Sequence, residues 1–203
     1  MAFSGKAYYI TRIENLPSIL ERGILSFNRC RGNRVKHESF ALPTIQDKRE
    51  RKSVPNGRPL HDYACLYLHA RNPAMFLLSK MDPHFGRLCV LVLDAASILE
   101  IPDVVISDMN AASKFAHFYG GHEIDRLDFN RIYARYWTHA DQQDEWLHKY
   151  QKCAEVLVPD GVSPTHFIGI FVQDEDSNQE ILANGCQLKT KVNPELFFRS
   201  GNI

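Results

Sequence analysis

Short apolar runs of strand length recur along the chain, separated by amphipathic stretches that open on capping residues. Ala7 to Thr11 is aromatic and β-branched and predicts a first strand. Asn15, Leu16 and Pro17 open a helix, because proline in a first turn loses no hydrogen bond, and Gly23 closes it. Tyr63 to Leu68 reads as a buried strand, and Asn72–Pro73 repeats the helix-start signal before Ala74 to Lys80. Leu88 to Leu93, Val104 to Ile106, Ala154 to Val158, Phe167 to Val172 and Leu188 to Val192 are further strand runs. Asp125 to Lys152 reads as mainly helical with a break near Thr138 to Asp141, and Asp176 to Asn184 as a helix stopped by Gly185. Strands and helices mix without regular alternation, which disfavours a doubly wound parallel sheet. The pattern predicts one α+β domain over residues 1–203 around a bent, mostly antiparallel central sheet flanked by helices.

Length and composition agree with that picture: 203 residues, 44% hydrophobic and 24% charged, can bury a core without covalent staples. The five cysteines, Cys30, Cys65, Cys89, Cys153 and Cys186, form no paired motif and read as buried thiols in a reducing, cytoplasmic compartment. Neither a signal peptide nor a membrane span is visible.

Net charge is zero, but its distribution is uneven. Between Arg29 and Arg58 there are nine basic residues against three acidic ones. Gly32, Pro43, Pro55, Gly57 and Pro59 make this segment mostly loop, with one short helix at Thr44 to Lys52. It reads either as a solvated surface loop or as a loop that closes over a polyanion such as a pyrophosphate or a nucleic-acid backbone. The phosphate-loop and dinucleotide-fold motifs, the zinc-protease spacing and the hydrolase G-x-S-x-G are missing. His117 and His122 read as an exposed loop pair, so no metal is assigned.

Six segments, in order, carry a family resemblance. They are Y-Y-I-T-R-I-E-N-L-P-S-I-L from Tyr8, I-Q-D-K-R-E-R-K-S-V-P from Ile45, L-H-D-Y-A-C-L-Y-L-H-A-R-N-P-A-M from Leu60, D-M-N-A-A-S from Asp108, C-A-E-V-L-V from Cys153 and N-P-E-L-F-F from Asn193. Together they resemble the DarT family of DNA ADP-ribosyltransferase toxins over nearly the whole chain. The resemblance implies an ADP-ribosyltransferase fold that takes NAD as co-substrate and transfers ADP-ribose to a base in single-stranded DNA. It also implies a partner of the macrodomain type that removes the modification.

By the same resemblance Glu155 is the catalytic glutamate. Breaking the nicotinamide–ribose bond develops oxocarbenium character, which a carboxylate gripping the ribose 2′-OH stabilises. Read from residues alone, Glu155 is an outward-facing strand position. By the resemblance Arg49 is also catalytic: it matches the loop arginine that contacts NAD and helps deprotonate the target base, with Arg51 as the alternative if the alignment slips; a guanidinium keeps its proton, which sooner suits pyrophosphate binding and electrostatic stabilisation. Tyr9, Ile10 and Thr11 match an H-I-T element that holds the nicotinamide amide and ribose, with Tyr9 in place of the histidine. Ser18, at the start of the next helix, can reach a cofactor group or its own backbone. Tyr63 and Tyr67 share a strand face with Cys65, and the family lines its nicotinamide pocket there. Asn110 falls where the family approaches the target nucleotide, or else caps a helix. His117, Phe118 and Tyr119 offer a stacking platform for an unpaired base. The competing reading is a module of this fold that binds single-stranded nucleic acid, or modifies RNA, without DNA transfer.

Overall fold

The computed structural model of the chain describes residues 1–39 and 43–199. Residues 40–42, inside the basic segment, lie outside the described residues, as do the last four. Strand β1, Lys6–Arg12, runs into helix α1, Leu16–Arg22, whose second position is Pro17 and which Gly23 ends at φ 83°. No side chain fits at Gly23, because a Cβ there would stand 2.2 Å from the carbonyl oxygen of Val162. Strand β2, Ile24–Leu25, follows, and then α2, Phe27–Gly32, which Ser26 caps by accepting the N–H of Arg29. After α3, Pro43–Glu50, come β3, Tyr63–Tyr67, and α4, Pro73–Met81, capped by Asn72.

Strand β4, Leu88–Asp94, is apolar on both faces and lies in the middle of the sheet. Helix α5, Ala95–Leu99, leads to β5, Val105–Ser107, and β6, Phe118–Gly120. Asp128 caps α6, Phe129–Ile132, and Asp141 caps α7, Gln142–Gln151. The remainder is β7, Glu155–Pro159, β8, Gly161–Val162, β9, Phe167–Val172, α8, Glu175–Ala183, and β10, Thr190–Val192.

Among the described residues the main sheet has eight strands in the order β10-β9-β4-β1-β3-β7-β5-β6, and β10 pairs with β9 in parallel. The α+β architecture read from the pattern is the one observed. One face of the sheet carries the main core, in which Ala64, Leu66, Leu91, Val156 and Val158 pack together. The opposite face is divided between a cluster around Ile10, Met75 and Val90 and a smaller one around Tyr63 and Leu157.

Three readings need correction. The span from Asp125 to Lys152 begins in the end of a 3-10 turn, Gly121–Arg126, and then holds two short helices, α6 and α7, since two separate aspartate caps restart the chain and Tyr133 to Ala140 between them is not helical. The basic segment begins as α2, not as loop. Cys30, Cys65 and Cys186 are only partly buried, whereas Cys89 and Cys153 are buried; all five are unpaired thiols. No helix among the described residues is long and apolar enough to cross a membrane.

Candidate active site

The sheet contains a fork. Strand β1 pairs with β4 along its whole length, from Lys6↔Asp94 to Arg12↔Leu88. With β3 on its other side it shares a single register pair, Tyr8↔Tyr67. Beyond that pair Tyr9, Ile10 and Thr11 diverge from Leu66, Cys65 and Ala64, and a cleft of about 920 Å³ opens there, lined by residues of both strands. Backbone groups along a parted strand edge are available to a ligand in a way that paired ladder groups are not.

Glu155 stands at the first position of β7, opposite Tyr67 of β3 on one side and Ser107 of β5 on the other. The outward reading of the residue is overturned by its burial: it is 1% exposed. Arg49, at the end of α3, donates from Nη2 to Glu155 Oε1 at 2.5 Å and from Nη1 to Cys65 Sγ at 2.9 Å. Glu155 Oε2 accepts the backbone N–H of Ala111 at 3.3 Å. Burial pushes the Glu155 carboxyl above its ordinary value, while Arg49 and that N–H pull it back. Burial also works against the Arg49 charge, but the Glu155 carboxylate outweighs it and holds the guanidinium above its usual range. A proton added to Glu155 would strand a buried cation, which favours the ionised form of the pair. Burial raises the Cys65 thiol to about 11 and pushes the Tyr9 and Tyr67 phenols up, leaving all three neutral.

The candidates drawn from the sequence separate into two groups. Tyr9, Ile10, Thr11, Ser18, Arg49, Tyr63, Tyr67, Asn110 and Glu155 all line the cleft. Ile10 also packs into the cluster with Met75 and Val90, and Tyr63, 2% exposed, accepts a hydrogen bond from Asn56. Asn110 caps a turn rather than a helix: its Oδ1 accepts the N–H of Ala112 at 3.0 Å. His117 and Tyr119 do not reach the cleft. His117 is a surface group paired with Asp108 at 2.9 Å, and the Tyr119 ring on edge strand β6 lies beneath Arg126. Arg51 is exposed, so of the two loop arginines Arg49 is the one brought to Glu155.

Two contributions to the cleft escaped the sequence reading. Asn15 clasps the basic segment through both backbone groups of Glu38 and also donates to Thr11 Oγ1 at 3.3 Å. At the other end Phe115, Trp146 and Tyr150 form an aromatic wall. The i, i+4 spacing of Trp146 and Tyr150 was the available signal, since it puts both rings on one face of a helix.

The family model described as "ssDNA thymidine ADP-ribosyltransferase, DarT" matches residues 8–198. The chain belongs to the DarT family. It is 31% identical over 196 residues to a DNA ADP-ribosyl transferase–DNA ADP-ribosyl glycohydrolase fusion protein of Thermosipho africanus, covering 94% of this chain and 49% of that protein. The chain therefore spans about half the length of that DarT relative. Thermosipho africanus DarTG in complex with ADP-ribose superposes with a TM-score of 0.85 at 28% identity, over 95% of this chain and 51% of that one. Thermus sp. 2.9 DarT in complex with ADP-ribosylated single-stranded DNA gives 0.80 at 26% identity, over 95% of each chain.

Proposed function

We propose that this protein transfers ADP-ribose from NAD to thymidine in single-stranded DNA, releasing nicotinamide. The observation that carries this reading is the Arg49–Glu155 ion pair, buried beside the closed end of the fork, where Glu155 stands opposite Tyr67 and Tyr9 and Thr11 part from β3. In this reading NAD lies in the fork with its nicotinamide ribose against Glu155. The bond between C1′ and the nicotinamide nitrogen breaks, and its electron pair leaves with nicotinamide. The ionised carboxylate stabilises the positive charge that develops on the ribose, and an environment of low dielectric strengthens the effect. A thymine ring nitrogen then bonds to C1′, and the proton it carried passes to solvent water. Arg49 cannot take that proton, since a guanidinium stays protonated. Its work is to keep Glu155 ionised and aimed, and to present positive charge to the donor.

The Thermosipho relative joins a transferase to a glycohydrolase in one chain, which supports a glycohydrolase of the macrodomain type as the counterpart of this transferase and a role as the toxin of such a pair. The unpaired cysteines favour a reducing, cytoplasmic compartment. We take residues 1–203 as one transferase domain.

The test is incubation of wild type and Glu155→Ala with NAD and a thymidine-containing single-stranded oligonucleotide, followed by mass spectrometry. An added ADP-ribose on the wild-type product alone supports the proposal. An unmodified oligonucleotide from both, with DNA binding intact, overturns it in favour of a binding module or an RNA substrate.

A further inference from the structure

Glu155 has different neighbours on its two sides. Across the sheet β7 lies between β3, whose fork with β1 holds the residues assigned to the donor, and β5, from which the chain runs into the turn carrying Ala111. That turn is fixed to the catalytic carboxylate by the Ala111 N–H and to α7 by the N–H of Asn110, which donates to the Tyr150 carbonyl at 3.1 Å. Phe115 follows on the same segment and meets Trp146 edge-on, with ring centres 5.7 Å apart and planes at 82°. Trp146 meets Tyr150 at 4.5 Å. Large rings in water are costly to leave bare, yet Phe115 is 50% exposed and Trp146 45% exposed, and both line the cleft.

The charges around this wall are mainly basic. Lys114 Nζ lies 5.0 Å from the centre of the Phe115 ring, and Lys52 reaches the carbonyl of Ser113 at 3.1 Å. Lys149 is already paired with Glu145 at 2.6 Å. Half-exposed rings flanked by lysines suit an unpaired base and its phosphate, because every base has a face to stack and every linkage a negative charge.

We infer that Trp146 and Phe115 stack the nucleotide next to the target thymidine, so that the wall at the β5 side of Glu155 positions the DNA strand while the fork holds the donor. This rests on the proposed function. Trp146 touches substrate without entering the chemistry, so its loss weakens strand binding and leaves the bond-breaking step alone.

The experiment compares wild type, Trp146→Ala, Phe115→Ala and Trp146→Phe on oligonucleotides with one thymidine, with and without an abasic site beside it. Direct binding of the same oligonucleotides is measured by fluorescence anisotropy. Trp146→Ala is expected to raise KM for DNA about 10- to 100-fold, the worth of one stacked base, with kcat and KM for NAD within about twofold. Trp146→Phe recovers most of the loss. In wild type the abasic site costs a similar factor, and it costs Trp146→Ala nothing more. An unchanged KM for DNA overturns the inference, as does a rise confined to KM for NAD, which would put the donor's adenine on Trp146. If wild type binds DNA but modifies nothing, the function fails, and anisotropy still decides the stacking: loss of binding in Trp146→Ala keeps it and retained binding removes it.

Discussion

The side-chain amide of Asn15 pairs with Glu38 as one strand pairs with another: its Nδ2 donates to the Glu38 carbonyl at 3.0 Å and its Oδ1 accepts the Glu38 N–H at 2.8 Å. A residue at the start of α1 thereby fixes the part of the basic segment around Glu38 at the cleft. Asn15→Ala removes both bonds and frees that segment. KM for NAD should rise about 5- to 30-fold, the equivalent of one or two net hydrogen bonds, with little change in melting temperature because the site is at the surface. Steady-state kinetics at varied NAD checks this, and an unchanged KM would mean that the clasp does not shape the donor site.

Glu155→Gln keeps the shape of the side chain and removes its charge. Transfer should fall about 100- to 1,000-fold in kcat, the scale seen when a single group facing developing charge is lost. The protein should remain folded by circular dichroism. A variant with more than about a tenth of wild-type turnover would remove the carboxylate from the chemistry.

Arg49→Ala leaves the burial of Glu155 without its counter-charge, so the carboxyl moves further up. Because the ionised form is the active one, the acid limb of the pH–rate profile should shift to higher pH, and part of the lost activity should return as pH rises. The stability effect has the same origin. A carboxyl whose folded value lies above its unfolded one favours the fold at low pH, and that contribution is lost as pH rises through the folded value. Urea unfolding of Arg49→Ala against wild type should therefore show a larger deficit at pH 8 than at pH 5.

Lys152 is buried with no carboxylate partner among the described residues, and its Nζ donates to the carbonyls of Ile132 at 2.9 Å and Ala134 at 2.6 Å and to His69 Nδ1 at 3.0 Å. Burial lowers it to about 8, and burial with the adjacent ammonium lowers His69 to about 3, which keeps the imidazole neutral and able to accept. Lys152→Met leaves three acceptors unsatisfied and should cost about 2–4 kcal/mol in urea unfolding at pH 7. The lysine's folded value lies below its unfolded one, so wild-type stability gains as pH rises from about 8 towards 10, and the methionine variant should lose that slope.

The sequence made some parts of this molecule plain and hid others for identifiable reasons. Strands β1, β3, β4, β7 and β9 are long enough to appear as apolar runs. Ile24–Leu25, Phe118–Gly120 and Gly161–Val162 are too short, and they become strands because a partner is alongside. The burial of Glu155 could not be read from A-E-V-L-V, because the cover comes from Arg49, 106 residues away. The family resemblance brought both residues forward where periodicity could not. It gave less help with Phe115 and Trp146, whose meaning depends on a turn and a helix meeting beside the carboxylate.

The single pair Tyr8↔Tyr67 also has a mechanical meaning. It divides the sheet into a leaf of β10, β9, β4 and β1 and a leaf of β3, β7, β5 and β6, joined there by one rung. A donor seated between the leaves would bridge them, so occupancy should stiffen the joint as a whole. Slowed amide exchange would then extend outward from Tyr8 and Tyr67 into both leaves, well past the residues the donor touches.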